Sequence, residues 1–177
     1  MFYDRDTAGI PRSWVNRMRT SMARLTPQFS TNRMVRDYVE KLYLPSADAY
    51  QHRATRGGEV AKQLCQWDER IRQQWHEVHW GNLLVRKQDD GWIFEVQVYL
   101  GEVSPESVQA QLYADAQGME TPVCEIMLRH TAIPGSMNGY LYQCYLCSQR
   151  SYTDFTPRMV AYHPDACLPI ENNLILW

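Results

Sequence analysis

The chain has 177 residues, 45% hydrophobic and 21% charged, with 9 glycines and 9 prolines, a composition that supports one sizeable core or two small ones. No apolar run reaches the roughly 20 residues of a membrane-spanning helix, so no membrane partner is expected. Five cysteines, odd in number and sparse, argue against a disulfide framework and for the reducing cytoplasm. The net charge of −2 conceals an asymmetry: residues 1–75 hold 13 Lys and Arg against 8 Asp and Glu, and residues 76–177 hold 5 against 12. Such a break predicts two units, basic helices followed by an acidic sheet; without a basic cluster interleaved with stacking residues, no nucleic-acid partner is expected.

The first 14 residues, "MFYDRDTAGIPRSW", lack an apolar h-region, and no secretory signal is expected there. Pro11 suits a helix start and Ser13 a cap; Trp14, Met18, Met22 and Leu25 then recur at helical spacing. "TPQFST" breaks this helix. Ser30 or Thr31 caps a second one, with Met34, Val35, Tyr38, Val39 and Leu42 on its apolar face and Pro45 as its expected stop. Residues 46–58 are polar and end in two glycines, which predicts a linker and closes a helical segment over 1–58. A connecting amphipathic helix over 59–78 carries the seam Val60, Leu64, Trp67, Ile71 and Trp75.

From residue 79 the period changes to two. "HWGNLLVRK", the turn "QDDG" and "WIFEVQVYL" predict a hairpin, with Trp92, Phe94, Val96, Val98 and Leu100 on one face. "VQAQLYADA" puts Val108, Ala110, Leu112 and Ala114 on one face; "TPVCEIMLRHTA", "GYLYQCYLC", "TPRMVAYHP" and "NLILW" follow. The expectation is an α+β chain: N-terminal helices, then an antiparallel β-sandwich over 79–177 of about seven strands, immunoglobulin- or fibronectin-like.

Chemistry is hard to find in this pattern. Cys144 and Cys147 form a CxxC inside a predicted strand, where odd spacing sends them to opposite faces, and no second pair completes a zinc site; both are expected to fill core. His76 and His79 are three apart, not the four of a zincin helix, and straddle a helix–strand boundary. Asp89 and Asp90 suit a turn for backbone reasons, and Asp4 and Asp6 lie in an unconstrained lead-in. Lys41, Lys62 and Lys87, the three lysines, have no setting for a Schiff base. No catalytic, cofactor-binding or metal-ligating residue is therefore assigned. Eleven tyrosines and six tryptophans leave one clue, because flat rings on a sheet face can stack on sugars.

One long run resembles a known family. The elements Phe2-Tyr3 with Asp4 and Asp6, Gly9-Ile10-Pro11, Trp14, Ser21-Met22, Pro27 and Phe29-Ser30, continuing through Arg33-Met34-Val35, Tyr38-Val39-Glu40 and Tyr43-Leu44-Pro45, are similar to the region that closes the catalytic part of the short, archaeal- and bacterial-type α-glucan (glycogen or maltodextrin) phosphorylases. "VYLGEVSPESVQAQLYAD" and "MVAYHPDACLPIENNLILW" echo it further. The resemblance implies a parent glycosyltransferase with two Rossmann-like domains and pyridoxal phosphate on a lysine upstream of the matched region, to which Lys41 does not correspond. It also implies that residue 1 is an internal or artificial start and that the upstream catalytic domain is a partner of these helices. Exposed helix faces would otherwise drive self-association. The competing expectations are a free-standing β-sandwich that binds carbohydrate, α-glucan included, or protein, and a small enzyme, for which no site is visible.

Overall fold

The structure is a computed structural model that describes residues 2–118 and 121–177. Met1, in the expected helical segment, and Met119 and Glu120, in the expected sandwich, lie outside the described residues. The chain divides into two units, Met1–Thr55 and Arg56–Trp177.

The first unit opens on a turn organised by Asp6. Its Oδ1 accepts from the backbone N–H of Ala8 and of Ile10, each at 2.9 Å, and its Oδ2 accepts from Arg12 Nε at 2.6 Å. The Arg12 guanidinium, helped by the Ile10 amide, holds the Asp6 carboxyl below the usual range. Far from being unconstrained, the lead-in is fastened. Helix α1 (Arg12–Leu25) follows; the cap position falls on Pro11 rather than Ser13 and has no side-chain bond. Helix α2 (Thr31–Tyr38) is capped as expected, with Ser30 Oγ accepting from Arg33 N at 3.3 Å.

Pro45 does not end that helix. A π turn, Val39–Tyr43, carries the chain directly into α3 (Leu44–Gln74), with the Leu44 N–H donating to Val39 O. A proline clashes with the carbonyl four residues back; the wider i→i+5 turn just before it relieves the crowding, so the helix passes through. Residues 46–58 are accordingly helical, not an open linker. Their glycine signal registers differently: Arg56, Gly57 and Gly58 have φ of 51°, 69° and 78°, which interrupts the right-handed path where the chain divides.

No residue of α1, α2 or the π turn is buried. The apolar stripe expected from the spacing is present, yet Met22 is 59% exposed, Val35 51% and Leu42 51%.

In the second unit the seam of α3 is real at its centre: Trp67 and Ile71 are buried, and Leu64 and Trp75 pack against the core. β1 (His79–Gln88) and β2 (Gly91–Tyr99) form the expected hairpin around Asp89 and Asp90, with Asp89 at φ 50°. β3 (Val108–Ala114) alternates strictly, burying Val108, Ala110, Leu112 and Ala114. The segment read as one strand after Thr121 is two: β4 (Val123–Ile126) pairs with β3, and β5 (Leu128–Ala132) pairs with β6 (Gly139–Cys147) in the other sheet. The change of sheet occurs at buried Met127, whose N–H donates to Ala110 O. β7 (Thr156–Ala161) and the two-residue β8 (Ile175–Leu176) complete a second sheet.

The described residues thus form eight strands, not seven, in two antiparallel four-stranded sheets ordered β1-β2-β6-β5 and β4-β3-β7-β8. Their inward residues, among them Phe94, Val96 and Val98 from one sheet and Leu112, Met159 and Ala161 from the other, join Trp67 and Ile71 in a single hydrophobic cluster. The last segment is tied back by Asn172, a buried polar residue, whose Nδ2 donates to Asp68 Oδ1 at 2.7 Å while its Oδ1 accepts from Leu174 N.

Candidate functional site

The residues singled out by motif are dispersed. Cys144 faces inward and packs against the core, where burial pushes its thiol up to about 11. Cys147 lies on the other face and is exposed, so it does not fill core; its Sγ donates to Asp90 Oδ2 at 3.2 Å. Asp90 also accepts from Tyr145 Oη at 2.7 Å, and these two donors, Tyr145 first, hold its carboxyl below the usual range. The same bond pushes Tyr145 up to about 12, and Asp90 raises the Cys147 thiol. Asp90 is therefore more than a turn residue: it staples the hairpin turn to β6. A thiol whose pKa is raised is a poor nucleophile.

His79 stacks on Tyr99 and its Nδ1 meets Glu77 O at 2.8 Å, while His76 sits in the short 3₁₀ turn before β1. Among the described residues no group of three or more His, Cys, Asp and Glu could hold a metal ion. Lys41 pairs with Asp37 at 3.6 Å, Lys62 is exposed on α3, and the exposed Lys87 lies 5.9 Å from the Trp92 ring centroid.

The arrangement with the most ligand-like chemistry lies on the outer face of the β4-β3-β7-β8 sheet. Strict alternation turns Tyr113 away from the core between buried Leu112 and Ala114. β7 runs antiparallel to β3 with Thr156 opposite Tyr113 and Arg158 opposite Gln111, which brings Arg158 beside the tyrosine. β8 then pairs Leu176 with Met159, so Trp177 arrives at the level of Arg158. The Arg158 guanidinium carbon sits 4.3 Å from the Tyr113 ring centroid and 5.4 Å from that of Trp177, and the two rings meet edge-on at 5.6 Å.

Arg158 is fixed by donation from Nε to Gln111 Oε1 at 2.9 Å. Tyr113 Oη donates to Asp115 Oδ1 at 3.0 Å, which raises the tyrosine pKa. Asp154 closes the far wall, its Oδ2 accepting from Gln117 Nε2 at 3.0 Å and from Arg150 Nε at 3.4 Å. Tyr113, Asp115, Asp154, Thr156, Arg158 and Trp177 line an open cavity of about 370 Å³, in which Trp177 remains 56% exposed. The sequence pointed only to an excess of aromatic residues. The period-2 pattern of β3 could have marked Tyr113 as outward-facing, but its meeting with Arg158 and Trp177 depends on strand pairing.

This chain carries a region related to the α-glucan phosphorylases. It is similar to maltodextrin phosphorylase of Thermococcus litoralis, 30% identical over 137 residues, 73% of this chain and 16% of that protein. It is also similar to glycogen phosphorylase of Mycobacterium tuberculosis strain H37Rv, 35% identical over 77 residues, 44% of this chain and 9% of that protein. Glycogen phosphorylase of Aquifex aeolicus is 37% identical over 43 residues, 24% of this chain and 6% of that protein. The chain thus spans between 6% and 16% of the length of these relatives. No family model and no solved structure matches.

Proposed function

We propose that this chain is a non-catalytic C-terminal segment of an α-glucan phosphorylase-like glycosyltransferase of the cytoplasm, whose parent converts α-1,4-glucan and inorganic phosphate to glucose 1-phosphate. The observation that carries the reading is the apolar face of the first unit: no residue of α1, α2 or the π turn is buried, although their stripes have the spacing of packed helices. Water is a poor partner for Trp14, Met18, Met22 and Leu25 together, and the occupant that fits is the upstream catalytic domain of the parent. The relatives named glycogen and maltodextrin phosphorylase, several times longer than this chain, support that choice. Segment 1–58 would finish the catalytic domain, the helix over 59–78 would connect, and residues 79–177 would form the accessory domain.

An immunoglobulin-like sandwich is the architecture favoured for that domain. With β4 and β5 counted as one strand that changes sheet, the order becomes 1-2-5-4 and 4-3-6-7, the arrangement of a constant-type domain with one extra edge. Pyridoxal phosphate belongs to the parent in this reading, on a lysine outside this chain.

The assay is direct. Purified chain given maltodextrin, inorganic phosphate and pyridoxal phosphate should form no glucose 1-phosphate above a protein-free control; phosphate-dependent formation would overturn the non-catalytic assignment. The alternative, a free-standing module, draws on the aromatic cleft alone.

A further inference from the structure

We propose that a second cavity, where the chain crosses between the sheets, binds a compact, neutral, largely apolar small molecule whose carbonyl oxygen accepts a hydrogen bond from Tyr142. It shares no lining residue with the aromatic cleft and does not depend on the phosphorylase reading. β4 and β5 are the edge strands of their sheets, and Met127 joins them. Beside that crossing lies an open cavity of about 350 Å³. Val108, Ala110 and Met127 are its buried apolar lining, and Ile126 and Leu128, 54% and 71% exposed, are its exposed apolar lining. Arg129 stands opposite Tyr142 in the β5–β6 register, so the two side chains take the same face of the sheet. The Arg129 guanidinium passes over the Tyr140 ring, 5.2 Å from its centroid, and donates twice to Glu106, at 3.2 and 3.0 Å. Tyr142 lines the same cavity and is 3% exposed, and its Oη has no partner among the described residues.

That hydroxyl marks the cavity as a site. Phenylalanine would keep the ring and remove the unsatisfied buried group, so the oxygen is held at a cost in stability. Breaches of polar satisfaction are expected where a protein does its work. The indole N–H groups of Trp67 and Trp80 are also unpartnered, but no natural side chain keeps that shape without the N–H, so they carry no such argument. Charge then fixes the ligand class. Arg129 and Glu106 answer one another on the wall, so neither an anion nor a cation finds an unpaired opposite charge. The pair is exposed, 37% and 73% at its side chains, and an ion pair of that kind holds weakly enough to turn outward and admit a ligand. Gln109 Oε1 already accepts from Gln111 Nε2. What the cavity offers is apolar surface and one O–H donor, which a neutral molecule with a single carbonyl satisfies. The volume lies at the small end of ligand pockets, room for about one or two rings.

The test is amide chemical-shift mapping of the 177-residue chain by nuclear magnetic resonance. The neutral probes are benzamide, acetophenone and cyclohexanone; benzoate and benzylamine are the charged controls. Saturable shifts centred on the Ala110, Met127 and Leu128 amides are expected with at least one neutral probe, at a Kd in the millimolar range. Tyr142→Phe should weaken that binding about fivefold while raising the urea midpoint. Because affinity falls as stability rises, unfolding does not account for the loss. Leu128→Ser, at a largely exposed position, should weaken binding severalfold with the midpoint unchanged, and it decides if Tyr142→Phe is destabilised. Met22→Ala, in the first unit, should bind as the original chain does. No saturation by any neutral probe at about 50 mM, undiminished affinity in the deciding cavity variant, or tighter binding of benzoate or benzylamine would each overturn the site. None of these outcomes touches the phosphorylase-segment reading, which is tested by the absence of phosphorolysis and by polypeptide size.

Discussion

Tyr142→Phe should stabilise the protein. Tyr142 is 3% exposed, its ring belongs to the core cluster from β6, and its Oη has no hydrogen-bond partner among the described residues. A buried hydroxyl without a partner costs about 1–3 kcal/mol, and phenylalanine keeps the ring while removing that cost. A gain of about 1–2 kcal/mol at pH 7 is expected, read as a higher urea midpoint at unchanged slope.

A second, independent reading comes from alkaline pH. Burial pushes Tyr142 up to about 12, against about 10 when unfolded. Below pH 10 the hydroxyl is neutral in both states and contributes no pH dependence. Between the two values the unfolded chain releases the proton and the folded one does not, so stability falls as pH rises, by about 1.4 kcal/mol per unit and about 3 kcal/mol in all. Urea titrations at pH 8 and pH 11 should show a steeper loss in the original chain than in Tyr142→Phe. Cys144, pushed up to about 11, contributes the same sign from about pH 9 in both proteins and cancels in the comparison. Destabilisation of Tyr142→Phe by more than about 1 kcal/mol at pH 7, or identical alkaline limbs, would refute the orphaned hydroxyl.

Leu112→Ala, at a site with no exposure between the sheets, should cost about 2–5 kcal/mol in urea denaturation. Asn172→Ala removes the donor to Asp68 Oδ1, leaving that carboxylate its Arg72 partner, and strands the Leu174 amide; it should cost about 1–3 kcal/mol by the same assay. Asp90→Asn should bring the Tyr145 titration down from about 12 toward an ordinary tyrosine, followed by tyrosinate absorbance. Met22→Ala should change chain stability by no more than about 0.5 kcal/mol, because Met22 is 59% exposed on α1; a loss above about 2 kcal/mol would show its face already packed.

The strands were legible where chemistry is local. The hairpin at Asp89-Asp90 and the strict alternation of β3 announce themselves within a few residues, and both stand in the structure. What went unread depends on partners far along the chain. The division of one apparent strand at Met127 follows from two different neighbours, β3 on one side and β6 on the other. Cys147 looked like core because its environment is set by Asp90, 57 residues away. Pro45 carries a strong local stop signal, and the π turn before it overrides that signal by a backbone adjustment no propensity describes. The Tyr113, Arg158 and Trp177 cleft joins three strands and had no contiguous trace.

The central claim, that these residues are one part of a phosphorylase-like enzyme, is met most directly by the size of the native polypeptide. An immunoblot of source cells with antibody raised against residues 79–177 should show a band several times the 20.8 kDa of this chain. A single band at 20.8 kDa would contradict the account and hand the lead to an independent binding module.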